Sequence, residues 1–254
     1  MAVSSPGSER GPGAAGAGDT ALAVRDLQVA YGEFIAVERA TFSVKTGHCV
    51  AMIGPNGNGK SSIATAVAGL IASRGRVELF GELAPRGDAV WAVKRGLILV
   101  PERRRLFPQM TVHDNILLGC YGWTQSLRRA QRDATTEEAI ALFPELRSRL
   151  KQIAGTLSGG QQQMTALARG LAARPKALII DEPCLGLAEV VARRVYAALA
   201  ELKRQGRTVI LIEENPVRAL EICDEVIRVE RGIAYEASKP SAPGRGGASQ
   251  AATL

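Results

Sequence analysis

Histidine is almost missing from this 254-residue chain, which has two. Its four cysteines, Cys49, Cys120, Cys184 and Cys223, never fall into a C-x-x-C pair. Those shortages argue against a zinc site and against a disulfide framework, and scattered thiols fit a reducing compartment. Aromatic residues make up only 4%, and they do not interleave with the basic residues. That argues against a surface that stacks single-stranded nucleic acid, so no nucleic-acid partner is expected. No apolar run free of charges reaches the ~18–20 residues needed to cross a bilayer. The N-terminus has no apolar signal-peptide core: residues 1–19 are rich in Gly, Ala, Ser and Pro and read as a flexible tail, and residues 237–254 read the same way.

What is present is a dense middle. Hydrophobic residues reach 46%, enough for one large domain with a smaller subdomain, here residues 20–236. The net charge is +7. Arg103-Arg104-Arg105 and Arg128, Arg129 and Arg132 are its two clusters. They read either as solvated faces or as attraction to lipid headgroups, nucleotide or nucleic acid.

Residues 22–45 alternate apolar and polar positions as short antiparallel strands do. CVAMI (Cys49–Ile53) is a buried strand that runs into a glycine-rich loop and then a helix over about Lys60–Gly69. GRVELFG (Gly75–Gly81) and LILV (Leu97–Val100) read as further strands. Residues 103–160 carry helical spacing broken at Pro108 and Pro144, a helical subdomain in which Thr111 and Asp114 resemble a capping box. A helix over Gln161–Ala173, a strand over Ala177–Ile180, a helix over about Glu189–Gln205 and a strand over Thr208–Ile212 follow. EVIRV and GIAYE close the chain as a hairpin across Glu230-Arg231-Gly232. Apolar strands alternating with helices predict an α/β fold with a mainly parallel sheet covered on both faces.

Three motifs carry chemistry. GPNGNGKSS spans Gly54, Pro55, Asn56, Gly57, Asn58, Gly59, Lys60, Ser61 and Ser62 and fits G-x-x-x-x-G-K-[ST] between a strand and a helix. Its glycines let backbone N–H groups point at a triphosphate, and the helix adds its positive end. Lys60 would reach the β- and γ-phosphates, and Ser61 would ligate Mg²⁺. LIIDEP (Leu178–Pro183) ends a buried strand in two carboxylates. Asp181 would hold Mg²⁺ through its water shell, and Glu182 would polarise an attacking water. LSGGQQQ (Leu157–Gln163) opens a helix, so Ser158, Gly159, Gly160 and Gln161 form a second anion-facing turn. One chain has little use for two triphosphate cradles.

The order of these motifs resembles the ABC ATPases, in which LSGGQ faces the phosphate loop of another subunit. The resemblance covers about residues 22–236. It implies a P-loop NTPase core, an N-terminal antiparallel β-subdomain and a helical subdomain that carries the signature. It also implies ATP and Mg²⁺ as ligands, with Tyr31 stacked on adenine, where a half-buried strand aromatic is the plainer alternative. PERRRLF (Pro101–Phe107), LSGGQQQM and DEPCLGLAE (Asp181–Glu189) are similar to PEGRRVF, LSGGEQQM and DEPSLGLAP of the second ATPase of branched-chain amino-acid importers and its amide and urea relatives. This closer likeness implies a peripheral subunit on the cytoplasmic face of the membrane. It would pair with a second ATPase (or a copy of itself) on two membrane permeases fed by a substrate-binding protein.

Several positions depart from the superfamily pattern. Glu102 stands where most members have the Q-loop Gln. The subgroup also has Glu there, which implies a link between nucleotide, its metal and the helical subdomain. An Arg of PERRRLF replaces the Gly of the subgroup's PEGRRVF, and Ala188 stands where most members have Asp. Glu214, in LIEENP, occupies the switch position of the catalytic set, where His or Gln would donate a hydrogen bond to the γ-phosphate; an ionised Glu cannot. Like charges 4 Å apart cost about 4 kcal/mol at an effective dielectric of about 20. Glu214 therefore turns away, carries a proton, or marks a slow, regulatory site; a solvent-facing Glu at a strand end is the plain alternative. A non-transport ABC ATPase is a further reading, against which stand the single domain and the lack of a coiled-coil insertion.

Overall fold

The computed structural model describes residues 19–122, 129–215 and 217–238. The expected tails lie outside the described residues apart from Asp19, Ala237 and Ser238, and so does Arg128 of the second basic cluster. The chain opens with β1 (Thr20–Tyr31) and β2 (Phe34–Lys45), an antiparallel pair turned at Gly32-Glu33. The expectation of short strands is corrected to two strands of 12 residues each. They stay paired through register shifts around Val24–Val29, where Asp26 takes a left-handed φ of 47° and its N–H bonds the Thr41 hydroxyl at 3.0 Å.

β3 (Cys49–Ile53) leads through the glycine loop into α1 (Lys60–Val67). β4 (Arg74–Leu79), the two-residue β5 (Glu82–Leu83), α2 (Ala89–Arg95) and β6 (Leu97–Val100) follow. α3 (Val112–Leu117), α4 (Arg129–Ala141) and α5 (Gly159–Ala172) lie together with three short 3₁₀ turns. The last third contains β7 (Ala177–Asp181), α6 (Glu189–Arg204), β8 (Thr208–Glu213), α7 (Val217–Ile222), β9 (Glu225–Glu230) and β10 (Ile233–Ala237). The Thr111 hydroxyl caps α3 by accepting the Asp114 N–H. The Asp114 carboxylate accepts the Thr111 hydroxyl, so the cap closes side chain to side chain.

All of the strands among the described residues join in one sheet, ordered β5-β4-β1-β2-β10-β9-β3-β8-β7-β6. Pairing is parallel from β6 to β9 and antiparallel from β2 to β5. The β9–β10 hairpin welds the halves, because β10 runs antiparallel to β9 and parallel to β2. Every residue of β3, β7 and β8 is buried, as strands covered on both faces must be. Their alternation divides the core. Ala51, Ile180 and Leu211 face the layer of α5 and α6, while Met52, Ile179 and Ile212 face Ile63 and Val67 of α1. Each such large side chain contributes about 1.5–3 kcal/mol when fully buried. Cys49 and Cys223 meet inside this core as thiols, with sulfurs 2.9 Å apart. Among the described residues no helix is long and apolar enough to cross a membrane.

Candidate functional site

β3 ends at Ile53 and delivers Gly54 against the backbone of β9, where an added β-carbon would meet the Val229 carbonyl oxygen at 2.1 Å. The turn ends at Gly59, where φ is 97° and an added β-carbon would meet the Ala36 carbonyl oxygen at 2.6 Å, so this position likewise admits no side chain. Gly59 is also the N-cap of α1, and no side chain among the described residues caps that helix. The first N–H groups of α1 are therefore left for an outside acceptor. Lys60 is 5% exposed. Its ammonium donates to the Gly54 carbonyl at 2.6 Å, the Pro55 carbonyl at 3.2 Å and Asn56 Oδ1 at 3.4 Å, so it lies across the loop it belongs to. The Asn58 N–H bonds the Pro55 carbonyl. The Tyr31 hydroxyl donates to Ser62 Oγ at 3.4 Å.

Two adjacent carboxylates face this loop from β7, and strand alternation gives them different surroundings. Asp181 continues the face of Ile179 toward α1. Burial pushes its carboxyl up; the Ser61 hydroxyl and Lys60 pull it down, and the Glu102 charge adds to the rise. Glu182 sits just past the strand at a left-handed φ of 47°, which lets its N–H bond the Ile212 carbonyl of β8 at 3.0 Å. That conformation costs about 1–2 kcal/mol, the kind of strain that gathers at working sites. Glu182 Oε1 lies 3.8 Å from Lys60 Nζ. Burial first, then the charge of Glu213, push its carboxyl up to about 7, against the pull of Lys60.

Sequence patterning alone did not point to Glu213. It ends β8 on the same face as Val209 and Leu211, only 7% exposed, and accepts the Tyr196 hydroxyl of α6 at 2.6 Å. Burial raises its carboxyl too, while Tyr196 and Glu182 moderate the rise. The available signal was its parity: a carboxylate closing a buried strand in step with inward valine and leucine also points inward. Glu214, the next residue, is exposed and points toward the phosphate loop, where its Oε2 accepts Asn56 Nδ2 at 2.7 Å.

Tyr31, Lys60, Ser61, Ser62, Glu102 and Glu182 line one cavity of about 380 Å³. Phe34, 66% exposed, lines it beside Tyr31 as a second aromatic that sequence reading passed over. The donor set suits a triphosphate with a small hard cation. Asp181 Oδ1 is buried with no hydrogen-bond partner among the described residues, and the Ser61 hydroxyl is beside it. One carboxylate and one hydroxyl are what Mg²⁺ takes when phosphate and water complete its octahedron. No group of three or more His, Cys, Asp or Glu forms a metal cage among the described residues.

None of Ser158, Gly159, Gly160 and Gln161 lines that cavity. They begin α5, which starts two residues earlier than the sequence pattern suggests. Ser158 caps it: its Oγ accepts the Gln161 N–H at 3.4 Å, while Gln161 Oε1 accepts the Ser158 N–H at 3.1 Å. Gly160 packs against Val191 of α6. Beside this turn runs the Pro101–Phe107 loop. Arg104 and Arg105 are both left-handed there, with φ of 52° and 45°. Arg169, on α5, holds them by donating to the Arg104 carbonyl at 2.9 Å and the Arg105 carbonyl at 2.7 Å.

Residues 37–185 match the family model described as ABC transporter. The chain is 36% identical to the high-affinity branched-chain amino acid transport ATP-binding protein BraG of Pseudomonas aeruginosa over 203 residues, 80% of this chain and 85% of that one. It is 31% identical to the probable branched-chain amino acid transport ATP-binding protein LivF of Archaeoglobus fulgidus over 208 residues, 81% and 86% of the two chains. Among solved structures, the dimeric bacterial ABC transporter cassette MJ0796 shares the fold at a TM-score of 0.77 and 23% identity, covering 87% of this chain and all of that one. The chain thus belongs to the ABC transporter family as an ATP-binding subunit, an ATPase whose hydrolysis is coupled to transport.

Proposed function

We propose that this subunit energises an importer of branched-chain amino acids or related small polar solutes from the cytoplasmic face of the membrane. It would do so on two permeases, beside a second ATPase, with a substrate-binding protein delivering cargo. The cargo reading is supported by the likeness to BraG and LivF, branched-chain amino acid transport ATP-binding proteins. Against it stand relatives that import Fe³⁺, fructose or phosphate. One observation carries the site reading: Glu182 Oε1 and the Lys60 ammonium, 3.8 Å apart, share the cavity of the phosphate loop.

In this reading the loop N–H groups and Lys60 cradle the phosphates. Lys60 exchanges the Gly54 and Pro55 carbonyls for phosphate oxygens. Ser61 and Asp181 would hold Mg²⁺, which when bound neutralises the charge on the phosphate oxygens. Tyr31 stacks on adenine, with Phe34 beside it. Glu182 accepts a proton from the attacking water and is aimed by its left-handed backbone. Ser158–Gln161 serve the nucleotide of the facing subunit, in keeping with their separation from this chain's own cavity. Glu102 links nucleotide to the helical region through the loop that Arg169 pins.

Replacing Glu182 by Gln is expected to keep ATP bound and to lower turnover of the assembled complex at least about a hundredfold, the scale of general-base loss. Wild-type turnover in that variant would remove Glu182 from the role. A tagged pull-down from gently solubilised membranes with mass spectrometry tests the assembly. Two polytopic permeases and a second ATPase are expected; soluble partners alone would overturn the importer reading. The Glu214–Asn56 contact favours a second reading, a regulatory subunit whose own site turns over slowly. Glu214→Gln would then raise turnover, and unchanged ATP affinity and turnover would dismiss it.

A further inference from the structure

We propose that the cavity enclosed by α4, the end of α6 and the start of β8 binds a small aliphatic carboxylate, with Arg207 holding its charged end. The cavity measures about 500 Å³, a size that suits a small molecule, and none of its lining residues lines the cavity of the phosphate loop. Ala139, Leu178, Leu202 and Val209 line it as buried residues, and Leu142 and Leu171 as half-buried ones. The charged lining residues are less covered: Glu138, Arg174 and Arg207 are exposed and Glu201 is half-buried. Apolar walls with a few polar groups that can orient a ligand are what small-molecule sites offer.

The charges around the cavity do not cancel. Glu138 Oε1 accepts Arg174 Nη2 at 2.7 Å. Glu201 Oε1 accepts Gln205 Nε2 at 2.9 Å, and its Oε2 pairs with Arg204. Each of the two carboxylates thus has its own cation, and Arg207 is left over. Its Nη1 donates to the carbonyl of Pro175, another lining residue, at 3.1 Å, and it forms no ion pair among the described residues. That bond sets the guanidinium beside the apolar wall and leaves its other donors for an outside acceptor. A carboxylate suits them, because it takes two parallel N–H bonds from a guanidinium. A bare anion would leave the apolar lining in water, and an uncharged apolar molecule would leave Arg207 without a counter-charge; an aliphatic acid answers both. Arg174 adds a second sign. It holds a left-handed φ of 48° just past α5, where glycine is the usual residue. Its exposed pair with Glu138 returns less than that backbone costs. Such strain gathers where a binding wall is being shaped, and this pair ties α4 to the turn before β7.

The aliphatic carboxylate has two sources, a straight-chain fatty acid or a short branched acid, and neither rests on the importer reading. Calorimetric titration of octanoate into the full chain decides whether the site exists, and one saturable site is expected. Arg207→Gln should weaken octanoate about tenfold or more. Arg207 is exposed, so the variant is expected to melt with the parent, which a melting curve checks. Octanamide, of the same shape without the charge, should bind the parent chain about tenfold more weakly or worse, a result that no folding defect can imitate. Lys60→Ala should leave octanoate binding intact. Absent saturable binding, equal binding with Arg207→Gln, or equal binding of octanamide overturns the proposal. So does a loss with Lys60→Ala, which would put the carboxylate in the phosphate loop. Titration of 4-methyl-2-oxopentanoate into the same chain then separates the sources. Tighter binding than octanoate assigns the branched acid, and any other order assigns the straight chain.

Discussion

α1 and α5 both begin on glycine-bearing turns, and both offer an N-terminus where anions bind well, yet they are finished differently. α1 starts at Gly59 with no side chain over its first N–H groups. α5 starts at Ser158, and Ser158 and Gln161 close a reciprocal capping box over its first turn. A helix has four orphan donors at its start. The phosphate loop leaves them to a ligand, whereas the signature turn satisfies some with its own side chains. Glycine content therefore does not separate a ready anion site from a conditional one; the cap does. At 3.4 Å the Ser158–Gln161 bond is long, so the box closes loosely and can yield to a stronger acceptor.

The comparison breaks most visibly at Lys60. Lys60→Ala is expected to lower ATP affinity of the isolated chain about a hundredfold, the upper range for a charged hydrogen-bond donor. A fluorescent-nucleotide titration reads this. Ser158→Ala should leave the same titration unchanged, and equal losses in the two variants would erase the distinction between open and conditional turns.

A middle-sized effect sharpens the chemistry of the open site. Burial and Glu213 hold the Glu182 carboxyl at about 7. Turnover that needs ionised Glu182 then rises with pH through that region. Glu213→Gln removes the neighbouring charge but keeps an acceptor for the Tyr196 hydroxyl, so the rising limb should move to lower pH. Stability follows with the opposite sign. Between the ordinary carboxylate range and about 7 the folded chain holds a proton that the unfolded chain has lost, so stability falls as pH rises across that window. Glu213→Gln should flatten that fall. An unmoved limb in a pH–rate profile would show that Glu213 does not set the ionisation of Glu182.

Much of this was legible in the sequence because it follows from local rules. Cys49–Ile53, Ala177–Asp181 and Thr208–Glu213 are apolar runs too short for helices and bounded by turn residues, so their strand character needs no partner to be read. The Gly54–Ser62 loop is legible for the same reason: spacing alone dictates its shape. What escaped depends on neighbours far along the chain. The pairing of β10 with β2, which makes one sheet of two expected parts, is a contact between residues near 40 and near 234. Glu213 gains its meaning from Tyr196 and Glu182, and Arg104 from Gly159 and Arg169. Glu214 departs from the family pattern in the sequence, but only folding brings it to Asn56. The start of α5 two residues before the expected Gln161 has a local cause: glycine propensity favours a loop over 159–160, but Ser158 already supplies the cap that starts a helix.

The smallest effect tests that cap directly. Ser158→Ala removes the acceptor for the Gln161 N–H and should cost about 1 kcal/mol, which for a chain of this size lowers the melting temperature by about 2–4 °C. Gln161→Ala removes only the return bond to the Ser158 N–H. It also places a better helix former in the first turn, so the two changes offset and the melting temperature should barely move. The pair discriminates because an uncapped turn would show no loss in either variant. A turn packed solely through Gly160 on Val191 would also lose nothing when the hydroxyl goes. Calorimetric melting of the two variants beside the parent reads the difference. A Ser158→Ala loss that disappears when saturating phosphate is added to both proteins would mean that an anion takes over the donor the hydroxyl had satisfied, making the signature turn a site whose own side chains hold it closed until a ligand competes.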